Sequence, residues 1–193
     1  MAGDAEATKS RILGAAAAEF ATHGIAGARV DRIARSAKAN KQLIYAYFGS
    51  KHGLFETVLA EELSALTEVV RFDADDLPGY AGRLFDHMVA HPGLVRLATW
   101  RRLEWPDAAD IFVPLYKTKV TALSSAQRQG RLEGWAQPVD VLTLVIALAA
   151  AWVTAAPELH DIAPGDPWSA RRLATHRKAV VEAVRRLSVP PAG

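Results

Sequence analysis

Residues 29–51 read RVDRIARSAKANKQLIYAYFGSK, and their spacing decides the fold. Val30, Ile33 and Ala34 fall on one face of a short helix over about 30–36. Ala37-Lys38-Ala39 then makes a turn of mostly small residues, and Asn40 supplies a side-chain oxygen suited to capping the next helix. That second helix, over about 41–48, puts Ile44 and Phe48 on one face at i, i+4 spacing. Two short helices joined by a tight turn form a helix-turn-helix, in which the N-terminal residues of the second helix reach base edges in the DNA major groove. Lys41 and Gln42 take those positions. Lysine can donate to guanine O6 or N7, and glutamine can pair with adenine N6 and N7. Tyr45, Tyr47 and Lys51 place hydroxyl and ammonium donors around the far end of the helix, where a phosphate backbone would run. Taken singly, each of these side chains reads equally as a partly buried ring or a solubilising surface lysine, so the pointer to DNA lies in their combination.

Charge extends the same reading outward. Residues 1–52 hold eight Lys/Arg against four acids, a balance of +4, whereas the remainder holds fifteen bases and seventeen acids, a balance of −2. A small basic module on a mildly acidic body suits a first domain over 1–52 that meets a polyanion and a second over 53–193 with another task. A chance cluster of surface charge is the plain alternative.

Beyond the motif, Pro and Gly punctuate the chain at intervals suited to helices, and apolar residues recur at spacings of three and four: Ile12, Ala15, Ala16 and Phe20 first, then Phe55, Val58, Leu59, Leu63, Leu66 and Val70. The expectation is an all-α protein of roughly nine helices, with no repeat. After the motif these cover about 52–70, 77–91, 93–104, 111–129, 138–156 and 168–188. Residues 141–156 carry no charge, but a helix of that length rises about 24 Å and is shorter than the roughly 20 residues a bilayer needs, so it reads as buried within the chain or against a second copy. The chain has no cysteine, which excludes disulfides, thiol nucleophiles and Cys-ligated metals and agrees with a reducing compartment. Residues 1–10 show no apolar signal segment, and a cytoplasmic location is expected.

The stretches TKSRILGAAAAEFATHG, VDRIARSAKAN and LIYAYFGSKHGLF, spanning Lys9 to about Val58, together resemble the N-terminal domain of the TetR family of transcriptional regulators. The resemblance implies phosphate contacts at Tyr45, Tyr47 and Lys51 and base-reading positions at Lys41 and Gln42. Arg29, Lys38 and Asn40 complete the candidate DNA-facing set. Three positions depart from the family pattern: the usual Gly-Val of the turn is Lys38-Ala39, the usual Thr at the start of the second helix is Arg29, and the aromatic that usually follows Tyr45 is Ala46. A cation at Arg29 opposes the helix dipole but can meet a phosphate. The resemblance also implies a dimer built by the last two long helices. Leu144, Leu148 and Trp152 on the first, with Leu173, Val180 and Val184 on the second, are the candidate interface, and packing within one chain is the alternative. Asp166-Pro167 reads as the N-cap and first turn of the last helix.

The body is rich in rings. Phe85, His87, Met88, Trp100, Phe112, Tyr116 and Trp152 are candidates to line a small-molecule site, although rings at helical spacing also serve as core. His87 and His91 share a helix face without a third metal ligand, and Arg101, Arg102 and Glu104 read as a solvated face. No P-loop, dinucleotide fingerprint, G-x-S-x-G elbow or H-E-x-x-H is present, so neither enzyme nor cofactor is expected. The expected partners are a double-stranded pseudo-palindromic operator, a second copy of the chain and an unidentified apolar or aromatic effector that releases the DNA, most simply in repression, with no membrane. A DNA-binding regulator without an effector is the runner-up, and an effector-binding or catalytic body carrying a vestigial DNA module is a third reading.

Overall fold

The computed structural model describes residues 2–106 and 112–188, and the described residues are helical without strands. Ten helices follow in order: α1 (Ala2–Gly27), α2 (Val30–Ser36), α3 (Lys41–Phe48), α4 (Lys51–Val69), α5 (Leu77–Ala90), α6 (Pro92–Glu104), α7 (Val113–Arg128), α8 (Pro138–Ala150), α9 (Pro157–Asp161) and α10 (Ala170–Ser188). They divide into two compact units, one of residues 1–66 with 91–109 and one of residues 67–90 with 110–193.

In the first unit the predicted stripe of α1 is the core. Ile12, Ala16 and Phe20 are fully buried, and Phe20 meets Phe55 of α4 edge to face at 5.1 Å. Ile33 of α2, Ile44 of α3 and Leu54 of α4 close over them. α6 packs along α1 where that helix breaks. Gly24 has φ 70° and ψ −176°, a backbone that favours glycine, and a Cβ there would stand 2.7 Å from a Glu104 carboxylate oxygen. The break separates Ile25 N–H from the Ala21 carbonyl it would otherwise meet. Glu104 accepts from Ile25 N–H at 2.6 Å and from Ala26 N–H at 2.9 Å, while the Trp100 indole N–H donates to the Ala21 carbonyl at 3.3 Å. Glu104 is therefore a helix-break clamp, which corrects its reading as part of a solvated face; backbone groups freed mid-helix need new partners.

In the second unit α5 lies against α8 and α10, and α7 against α8. Asp76 caps α5 by accepting from Gly79 N–H at 2.8 Å. The apolar helix expected to reach 156 ends earlier: α8 stops at Ala150 and passes into a turn in which the Trp152 carbonyl accepts from Ala155 N–H at 3.3 Å and lies 2.9 Å from His160 Nε2. The short α9 occupies what reads as a break in sequence, which brings the helix count to ten. α10 begins at Ala170, three residues later than Pro167 suggests. Asp166 accepts from Trp168 N–H at 2.9 Å in a local turn, and the Ser169 hydroxyl faces Arg172 N–H at 3.4 Å at the start of the helix. The expected start of α7 at 111 lies outside the described residues.

Candidate nucleic-acid interface

The helix-turn-helix is closed by local chemistry. Asn40 accepts from Gln42 N–H at 2.9 Å, the predicted cap. α2 ends in a Schellman turn, with Ala39 N–H to the Ala34 carbonyl at 2.9 Å and Lys38 N–H to the Arg35 carbonyl at 3.2 Å. Lys38 sits in that turn at φ 50°, the left-handed region usually given to glycine. At the next corner, a Cβ on Gly53 would lie 2.3 Å from the Phe48 carbonyl oxygen, so only glycine lets α4 start this close to the end of α3.

Arg29 makes no side-chain cap. Glu19 of α1 replaces it, accepting from Arg29 N–H at 2.8 Å and pairing with the Arg32 guanidinium at 2.6 Å. Burial alone would raise the Glu19 carboxyl, but the hydrogen bonds from Arg32 and the Arg29 amide, with the nearby charges of Arg32 and His23, outweigh it and hold the group below the ordinary carboxylate value.

Arg29, Lys38, Asn40, Lys41, Gln42, Tyr45 and Tyr47 are all exposed in this unit, while Ile44 and Phe48 turn inward. At about 100° per residue, Gln42 and Ala46 stand at the centre of the exposed arc of α3, with Tyr45 and Tyr47 on its two flanks. Lys41 is paired with Asp31 of α2 at 2.9 Å, and the hydrogen bond it donates to that carboxylate raises its pKa. Lys51 is half-buried, its ammonium donating to the carbonyls of Ala26 at 3.2 Å and Ala28 at 3.3 Å, where it ties off the end of α1. An ammonium has three donors, so one remains for another acceptor.

The ring-lined candidates of the body fall into separate groups. Trp100 belongs to the first unit, through its bond to Ala21. Phe112 and Tyr116 stack on each other at 5.8 Å at the start of α7, and His87 and Met88 are half-buried on α5. Phe85 and Trp152 share one neighbour, His176 of α10, at 5.6 and 4.8 Å between ring centroids. Among the interface candidates, Leu144 is exposed and Leu148 and Leu173 are half-buried, whereas Trp152, Val180 and Val184 are buried within the single chain.

Two features of the second unit give no sequence signal. Lys119 of α7 is buried, donating to the Tyr80 hydroxyl at 2.7 Å beneath the ring of Phe72. Burial lowers its pKa to about 8 and raises that of Tyr80 to about 12. On α10, Arg172 lies over the Trp152 ring at 4.4 Å, and its buried Nε, like the buried Nε2 of His176, has no hydrogen-bond partner among the described residues. Burial and the Arg172 charge together lower the His176 pKa. No group of three or more His, Asp or Glu side chains that could hold a metal ion occurs among the described residues, and no described helix is long and apolar enough to cross a membrane.

Comparison with known proteins agrees with this architecture. Residues 12–58 match the family described as "Bacterial regulatory proteins, tetR family", and residues 76–186 match "Tetracyclin repressor-like, C-terminal domain". The chain is 44% identical over 169 residues to the HTH-type transcriptional repressor SCO4008 of Streptomyces coelicolor, covering 85% of this chain and 87% of that protein. It is 34% identical over 110 residues to the HTH-type transcriptional repressor NicS of Pseudomonas putida, covering 53% and 51%. The crystal structure of SCO4942 of Streptomyces coelicolor superposes with a TM-score of 0.83 at 44% identity, over 95% of this chain and 99% of that one. With the helix-turn-helix geometry and matches over both parts of the chain, the protein belongs to the TetR family of DNA-binding transcriptional regulators, which are not enzymes.

Proposed function

We propose that the protein is a homodimeric repressor that reads an inverted-repeat operator through α3 and releases it when a small molecule occupies the second unit. The observation that carries the DNA part is the exposed arc of α3, with Gln42 and Ala46 at its centre, set on a capped and fully packed base. Gln42 is suited to a bidentate contact with adenine and the Ala46 methyl to a thymine methyl. Tyr45, Tyr47, Arg29, Lys38 and the third donor of Lys51 face phosphates, and Asn40 holds the start of the helix. An exposed ion pair is weak, so an operator can take Lys41 from Asp31.

A second copy supplies the second half-site, about 34–36 Å away. The outward Leu144 and Leu148 of α8, with the half-buried Leu173 of α10, are the contacts we assign to it. The rings around His176 support a ligand site in the second unit, and α4, whose residues belong to both units, is the segment through which occupancy could act on DNA.

Two substitutions separate reading from holding. Gln42→Ala should cost about 1–3 kcal/mol on the operator and relax specificity at one position in each half-site. Tyr45→Phe should weaken operator and unrelated duplex alike. Equal loss of specificity from both, measured by competition binding at fixed salt, would sink the assignment.

A further inference from the structure

We infer that the His176 cluster of the second unit is a binding site for an organic carboxylate. Arg172 and His176 stand one turn apart on α10, and both contact the same ring, Trp152. Arg172 Nε and His176 Nε2 are each shielded from solvent and without a hydrogen-bond partner among the described residues. Nearly all buried polar atoms of a folded protein are bonded, so two orphans on one helix face mark a place where a partner is absent. The guanidinium is permanently charged and only donates, so the missing partner is an acceptor, best an anionic one. His176 can present an N–H at Nε2 to the same group, either as the appropriate neutral tautomer or as the cation.

The neighbours define the rest of the ligand. Phe85 of α5 lies beside His176, and Trp152 is further flanked by His160, which in turn meets Trp168 at 5.0 Å. Among the described acids of this region, Asp86 is bound to Arg177 and Asp166 to Trp168 N–H, while Glu158 and Asp161 of α9 are exposed and make no hydrogen bond to Arg172 or His176. A carboxylate attached to an apolar or aromatic body satisfies both orphan atoms and places its body against rings. The chemistry rests on the effector reading above only for its regulatory meaning; binding itself stands apart from it.

The test uses the full chain with benzoate, phenylacetate and octanoate as probes, each beside its neutral amide. Calorimetric titration and thermal melts should show binding and stabilisation by at least one carboxylate and a response at least about tenfold weaker to its amide. Arg172→Met and His176→Phe should each weaken that carboxylate about tenfold or more. If a variant fails to fold, the wild-type side-chain 15N resonances decide: the carboxylate should shift Arg172 Nε–H and His176 Nε2 selectively. Stabilisation by amides as strongly as by carboxylates overturns the site. So does binding that leaves both resonances unmoved, or no response to any of the three carboxylates at millimolar concentration. Selective carboxylate binding without any change in DNA affinity upholds the site and overturns only its role in release.

Discussion

The two units handle their charged groups differently. In the first, groups that the fold strands are answered within the unit: Glu104 and Trp100 take up both sides of the α1 break, Glu19 serves the start of α2, Lys51 closes the end of α1 and Asn40 caps α3. In the second, exposed pairs such as Arg177 with Asp86 are matched, but the buried bases are not: Lys119 has a phenol and two ring faces, and Arg172 Nε and His176 Nε2 have nothing. On the function proposed above, the DNA-reading unit is complete before its DNA arrives, and the body keeps unmet polar capacity inside, where a ligand would gain most from supplying it.

Three substitutions probe this contrast, the largest effect first. Removing the clamp with Glu104→Ala should cost about 1–3 kcal/mol of stability, since Ile25 and Ala26 N–H lose a charged acceptor. Amide exchange should quicken at those two positions above all; unchanged protection there would show that the break needs no clamp.

Lys119→Met should act oppositely, stabilising the protein by roughly 1–2 kcal/mol at pH 7 because it removes a buried charge without an acid partner. The sign with pH follows from linkage. The folded-state pKa of about 8 lies below the 10.5 of free lysine, so between those values the unfolded chain binds more protons and stability rises with pH. The penalty is full below pH 8 and fades as the pH climbs toward 10.5, and the variant's advantage in denaturant melts should fade with it. An advantage independent of pH would mean that burial leaves the Lys119 ammonium with the pKa of a free lysine.

The smallest effect is expected at Lys38, whose left-handed backbone strains a side chain. Lys38→Gly should stabilise by up to about 1 kcal/mol, the strain relieved being partly offset by the greater freedom of glycine in the unfolded chain. Destabilisation in melts would instead show that the Lys38 side chain supports the turn.

The same contrast governs what the sequence discloses. α2 and α3 were legible to the residue because cap, turn and apolar spacing all lie within a dozen positions, and the aromatic run IYAYF ties them to a family. Glu104 reads as solvated in the sequence because the group it serves is 79 residues away, and no local pattern marks an acid whose partner is a backbone break. The sequence places the end of α8 too late because apolar composition continues through Ala156, whereas the chain turns after Ala150, with Ala155 N–H and His160 Nε2 both meeting the Trp152 carbonyl. Val180 and Val184 form a true helical stripe that is already buried within the single chain, and helical spacing alone does not distinguish a cover from the same chain from one supplied by a second copy. Arg172 and His176 carry no signal at all, since an orphan is defined by the absence of neighbours that only folding could have supplied.

On the proposed function, α3 reads DNA twice, once in each copy of a dimer. Selection of the full-length protein against a library of random duplexes tests it most directly. The selection should enrich an inverted repeat whose half-site centres lie about 34–36 Å apart or a multiple of that spacing, and a Gln42→Ala selection should lose preference at one symmetric pair of positions while keeping the rest. Enrichment of a single unrepeated site, or a Gln42→Ala consensus identical to the parent's, would contradict it.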